Sequence, residues 1–164
     1  MINAIRFYYI ARWLYLHHIP VLPSIFQLII FLIYNCMIPY KCHIGKGCFF
    51  NHSGIGVLIN SDVYIADNVK IGNNVSIVGQ GPYKRTPRIG SRVYIGPGAV
   101  VQGPVIIEDD VIIAPNSVVT KSIPQYAIVA GIPAKIIGDV RNLNYNIFKD
   151  EAWKEGNKEY LEFN

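Results

Sequence analysis

An aliphatic residue returns every six positions through the middle of this chain. Ile59, Ile65, Ile71, Ile77, Ile89, Ile95, Val101, Ile107, Ile113 and Val119 share one register. Four residues after each except Ile77, a second series of small or aliphatic residues follows: Val63, Val69, Val75, Val93, Ala99, Val105, Val111, Ser117 and Ile123. Gly72, Gly90, Gly96 and Ala114 stand directly after members of the first series. No helix has this period, and a simple strand alternates by two. Short strands that each turn one aliphatic inward and then bend, wound into a solenoid, satisfy it. A sandwich of short strands repeats at about 8–12 residues instead. The pattern predicts an all-β solenoid of parallel strands, a β-helix.

The repeat has two faults. Ile38, Ile44 and Phe50 keep the period in another register, so the slip falls at His52–Leu58. A second break spans GQGPYKRTPR, residues 79–88, where Tyr83 takes the aliphatic's place. Interruptions in a solenoid are where loops and function concentrate. Composition divides the chain into an apolar, aromatic leader (residues 1–37), the repeat region (38–138) and a polar tail (139–164), the last expected to be helical. Pro20 and Pro23 are expected to break the leader into two helices, Ile5–His18 and Ser24–Tyr34. Neither reaches the ~20 residues a membrane-spanning helix needs.

Residues of types AVILMFWYC make up 51% of the chain and charged ones only 16%. Such a surface is covered by other subunits or meets lipid. A net charge of +4 is too mild for a nucleic-acid-binding stripe. Cys36, Cys42 and Cys48 form no CxxC pair and no even framework, so they read as small buried hydrophobes in a reducing, cytoplasmic setting. The start has no small-residue cleavage site after an apolar core, so it does not read as a secretory signal. With only His43 and His52 in the coil region, a three-His metal site is not expected.

The run IGSRVYIGPGAVVQGPVIIEDDVIIAPNSVV resembles the hexapeptide-repeat acyltransferases, and VVTKSIPQYAIVAGIPAKII is similar to the segment closing their coil. NHSGIGVLINSD resembles the active-site segment of the serine acetyltransferase branch. The likeness covers roughly residues 36–138, and the leader is similar to that of enzymes of this branch associated with bacterial surface polysaccharides. The resemblance implies a left-handed coil, a parallel homotrimer, active sites between subunits and acetyl-CoA as donor. It assigns His52 as general base, a neutral imidazole being suited to accept a proton near pH 7. The alternative for His52 is a structural residue in a tight turn. Gly79, Pro97 and Pro115 match the small residues along which pantetheine lies. Thr120, Lys121 and Lys135 match the TK pair and the AGIPAK lysine, cations being able to neutralise phosphate. The prolines could equally serve as turn-formers.

Three departures from the family stand out. Met37 occupies the place of the Asp that pairs with the catalytic His in cysteine-pathway enzymes. Thr86 stands where those enzymes carry a serine-gripping His. Gly138 replaces an Arg near the cofactor phosphates, so those contacts are either weaker or shifted to Arg141. The first two, with the absence of a long helical N-terminal region, point away from free serine. The expected acceptor is therefore a sugar hydroxyl, free or lipid-linked, in surface polysaccharide synthesis. Tyr83, Lys84, Arg85 and Thr86 would line its cleft, unless they form a merely solvated loop. Serine acetylation for cysteine synthesis is the alternative, and a non-catalytic binding module a further one. The leader either caps the open coil end or brings the protein to the inner membrane face, where peripheral contact with anionic lipid is expected.

Overall fold

Each six-residue unit folds as a two-residue strand whose second side chain points inward, followed by a corner. In a computed structural model, which describes residues 2–144 and residue 147, the strands are β1 (His43–Ile44), β2 (Phe49–Phe50), β3 (Leu58–Ile59), β4 (Tyr64–Ile65), β5 (Lys70–Ile71), β6 (Ser76–Val78), β7 (Arg88–Ile89), β8 (Tyr94–Ile95), β9 (Val100–Gln102), β10 (Ile106–Ile107), β11 (Ile112–Ile113), β12 (Val118–Val119), β13 (Ala127–Ala130) and β14 (Lys135–Asp139). They stack into three sheets, the faces of a triangular prism. Face I runs β3-β6-β9-β12, face II β1-β4-β7-β10 and face III β2-β5-β8-β11-β13-β14. Met37 extends face I by a parallel bridge to Leu58. All the ladders are parallel except β13–β14, where the chain folds back antiparallel and covers the edge of face III. This is the left-handed parallel β-helix, and it agrees with the expected all-β solenoid.

The register explains the core. Ile65, Ile89 and Ile107 stack along face II, and Ile71, Ile95 and Ile113 along face III, each 0–1% exposed. Burying one such side chain contributes roughly 1.5–3 kcal/mol. The second series, such as Val69 and Val75, fills the corners from inside. Two of the three corners turn through the left-handed region on successive coils, while the third does so only at Gly103 among the described residues. Gly56, Asn74, Gly98 and Asn116 do so between faces III and I, and Gly47, Asn68, Arg92 and Asp110 between faces II and III. Asn and Asp tolerate that conformation better than most side chains, which is why they recur there. Among the described residues Ser117 is the one buried residue of polar type, and its hydroxyl has no hydrogen-bond partner there.

The leader forms α1 (Ala4–Leu16) and α2 (Leu22–Tyr34). Both differ in extent from the expected Ile5–His18 and Ser24–Tyr34. Asn3 caps α1 by accepting from the Ile5 amide. At the other end His17 is already the C-cap. Pro23 does not break the second helix but lies in its first turn, where the missing N–H has no intrahelical partner to lose. α1 seals the coil end with Tyr8, whose hydroxyl donates to the Cys42 carbonyl and accepts from the Ile44 amide. Among the described residues no helix is long and apolar enough to cross a membrane. Of the tail, residues 139–144 hold the end of β14 and a 3-10 turn, Val140–Asn142. The helix expected further on lies outside the described residues, apart from residue 147.

Candidate active site

The register slip is a tight turn. From Phe50 to Ile59 the chain takes nine residues where six would suffice, and the extra length folds as a 3-10 turn over Asn51–Gly54. His52 (φ 49, ψ 38) and Ser53 (φ 63, ψ 6) are both left-handed, consecutive and neither is glycine. Each such residue costs about 1 kcal/mol or more and persists only where the surroundings impose it. The surroundings here are the leader. Asn3 Nδ2 donates to the Phe50 carbonyl at 2.6 Å, and the Gly56 amide donates to the Tyr34 carbonyl at 3.3 Å. Gly54 sits so close to Phe50 and Ala4 that a Cβ there would lie 3.2–3.4 Å from their side chains. The His52 side chain is exposed, and no hydrogen bond to its ring is found among the described residues. Met37 is 47% exposed on face I and brings only a thioether.

The remaining candidates divide between the two corners that flank face I. His52, Pro97 and Pro115 lie on the corner joining faces III and I, with Lys135 just beyond its last turn. Gly79, the loop carrying Tyr83, Lys84, Arg85 and Thr86, and the Thr120–Lys121 pair lie on the corner joining faces I and II. One copy of the chain therefore does not gather them into a single cluster, since the width of face I lies between. That face carries no charge along its outward ladder of Met37, Leu58, Ser76, Val100 and Val118, whereas face II presents Arg88 and face III Lys70.

The corners are closely stacked. Pro97 lies over Gly72 and Pro115 over Gly96, where a Cβ on either glycine would come within 2.5 Å of the proline nitrogen. Gly79 is looser: a Cβ there would meet Asn60 Nδ2 at 3.3 Å and Thr86 Cγ2 at 3.5 Å, filling the notch without colliding with backbone. Lys121, on the same corner as the notch, and Lys135, on the opposite corner, both present exposed side chains. Two of the expected side chains have partners within the chain. Arg141, exposed, pairs with Asp139 at 2.6 Å and lies over the Tyr126 ring. Thr86 commits its hydroxyl proton to the Asp62 carbonyl at 2.7 Å, closing the loop base, while Tyr83, Lys84 and Arg85 remain exposed. Burial pushes the thiols of Cys36 and Cys42 up to about 12 and that of Cys48 up to about 11, so none is poised as a nucleophile. Asn3, Tyr34 and Asn60 were not among the expected site residues. A cap before an apolar helix is the one sequence signal Asn3 gives.

Comparison with known proteins places this architecture. The family model described as "Bacterial transferase hexapeptide (six repeats)" matches residues 86–121, and the same ladder register continues on both sides of that stretch. The chain carries the hexapeptide repeat of these transferases. It is 33% identical over 130 residues to the serine acetyltransferase of Synechococcus elongatus, covering 78% of this chain and 53% of the relative. It is 41% identical over 97 residues to the serine acetyltransferase of Mycobacterium tuberculosis, covering 58% of this chain and 42% of the relative. The serine acetyltransferase of Brucella abortus, solved in complex with coenzyme A, superposes with a TM-score of 0.78 at 33% identity, covering 83% of this chain and 55% of that one. This hexapeptide-repeat chain thus spans about half the length of the curated relatives it matches. The relatives correct the expected acceptor: they carry the name of serine acetylation, not of surface polysaccharide. The inference from Met37 and Thr86 gave too much weight to two side chains, when similarity over most of the chain points the other way.

Proposed function

We propose that the protein is an acetyl-CoA-dependent serine O-acetyltransferase, acting in the cytoplasm as a homotrimer. The observation that carries this reading is the 33% identity to a serine acetyltransferase over 78% of the chain, within which the strained His52 turn is held by the leader. Acetyl-CoA supplies the acetyl group as a thioester. His52 takes the proton from the serine hydroxyl as its oxygen attacks the thioester carbonyl, and returns it to the departing CoA sulfur. The C–S bond breaks as the ester C–O bond forms. Lys84 or Arg85 provides the cation that the serine carboxylate needs.

The division of the site between two corners supports a trimer. With the uncharged face I turned toward a three-fold axis, the His52 corner of one copy meets the Gly79–Thr86 corner of the next. Pro97, Pro115 and Lys135 then line one wall of a groove, with Gly79, Thr120 and Lys121 opposite. Pantetheine runs along the small residues and the lysines hold phosphates. This heterologous contact closes as a ring.

Thiol release from acetyl-CoA with free serine as acceptor tests the activity, with O-acetylserine identified by mass. Absence of turnover with serine by protein that binds CoA would overturn the acceptor. Light scattering that gives a monomer at micromolar concentration would overturn the assembly.

A further inference from the structure

The first 61 residues contain Arg6, Arg12, Lys41 and Lys46 and no Asp or Glu; Asp62 is the first acidic residue. Of the chain's 15 Lys and Arg, four stand in this segment, leaving 11 against 11 Asp and Glu in the remainder. Residues 1–61, which form α1, α2 and the first turn of the coil, thus carry a formal +4 of their own, with Asp67 of the next turn reaching back to the Lys46 amide at 2.7 Å. Arg12 is anchored there, donating to the carbonyls of Tyr40 and Lys41 at 3.1 and 2.7 Å.

The same end presents the most apolar exposed surface among the described residues. α2 buries Pro23, Ile30 and Tyr34 against α1 and the coil, yet its opposite side is equally apolar. Val21, Ile25, Leu28 and Leu32 recur at helical spacing along it with exposures of 69%, 44%, 54% and 70%, and Ile33 beside them is 59% exposed. On α1, Trp13 is 55% exposed. A surface helix ordinarily turns its polar side outward. A contiguous exposed stripe of this kind marks a surface that meets something apolar.

Charge distinguishes the two candidate occupants. Packing this end against a second copy of itself would bring two sets of four cations together, with Asp67 the nearest carboxylate beside Lys46, and the net charge there is repulsive. An anionic bilayer takes up the apolar stripe and attracts each Lys or Arg near its surface. A 13-residue helix is too short to span and suited to lie in the interface plane. We infer that the helical leader docks on an anionic lipid surface through the outward face of α2, with the basic residues of the first 61 positions facing the headgroups. The inference is independent of the acetyl-transfer reading.

Co-sedimentation of the full chain with vesicles of phosphatidylglycerol and phosphatidylcholine, against phosphatidylcholine alone, tests it. The comparison variant carries Leu28→Asp and Leu32→Asp, both at exposed sites, with its fold checked by thermal melting. The expected result is binding to the mixed vesicles at low salt. That binding should weaken about tenfold or more in the double variant, on neutral vesicles and at high salt. Full-length protein staying in the supernatant with anionic vesicles would overturn the inference. So would equal pelleting by the folded variant. A solution mass that the double substitution lowers, without vesicle binding by the parent, would assign the face to a second copy instead.

Discussion

Asn3 and Phe50, 47 residues apart in sequence, are joined by a 2.6 Å hydrogen bond from the Asn3 amide to the Phe50 carbonyl. The Asn3 side chain also accepts from the Ile5 amide, so one residue caps α1 and holds the turn that presents His52. Removing it should loosen the turn without touching the groove. Asn3→Ala is expected to lower kcat about 5- to 10-fold, the loss of a hydrogen bond worth about 1 kcal/mol, while CoA affinity stays unchanged. Unchanged kcat in a variant with normal melting would show that the clamp is dispensable.

His52 gives a test in which activity and stability move in opposite directions. Replacing a positioned general base costs about 10²–10⁴-fold in rate. Glycine tolerates φ near 49° at no steric cost, so His52→Gly should lose that activity while gaining up to about 1 kcal/mol of stability. A fall in melting temperature comparable to a core mutation would make His52 a structural residue.

Two glycines at different corners should respond differently to alanine. At Gly96 the new Cβ would sit 2.5 Å from the Pro115 nitrogen, so Gly96→Ala should destabilise the coil by about 2–3 kcal/mol. At Gly79 the nearest atoms are 3.3 and 3.5 Å away, so the fold should persist while the notch fills. Gly79→Ala is therefore expected to raise the KM for acetyl-CoA about tenfold with near-normal melting. An unaltered KM would remove Gly79 from the cofactor wall.

Ser117 is fully buried, and its hydroxyl finds no partner among the described residues. Ser117→Ala removes that polar atom with almost no change in shape. It should stabilise the protein by about 1 kcal/mol in thermal or urea unfolding. A loss of stability would reveal a hydrogen bond that the hydroxyl makes.

Asp110 links successive turns of the coil. Arg92 donates to both of its oxygens, at 2.6 and 2.8 Å, and Gln125 adds a longer contact at 3.3 Å. The Arg92 hydrogen bonds hold its carboxyl below the usual carboxylate range. A depressed pKa means that this stabilisation is present above the unfolded value of about 4 and is lost as pH falls through the folded one. The melting temperature should therefore decline more steeply below about pH 4 in the parent than in Asp110→Asn, whose side chain cannot titrate. Identical acid profiles would show that the bridge adds nothing.

The sequence by itself determined the coil. A hydrophobic period of six is a local property, so Ile59 to Val119 announced the strands, and the failures at His52–Leu58 and residues 79–88 marked where the coil opens. Position along a period says nothing about which corner an interruption reaches, because that depends on how many residues each turn consumes. The tertiary structure decided that His52, Pro97 and Pro115 share one edge of face I while Gly79 and Thr120 share the other. It also decided the fate of single polar groups: Arg141 is held by Asp139, and Thr86 by the Asp62 carbonyl. Such pairings depend on a few ångströms of geometry that no period encodes. The support of His52 was least legible of all. Its turn is held in a costly conformation by Asn3 and Tyr34, contacts that only the folding of the leader onto the first turn of the coil brings into range.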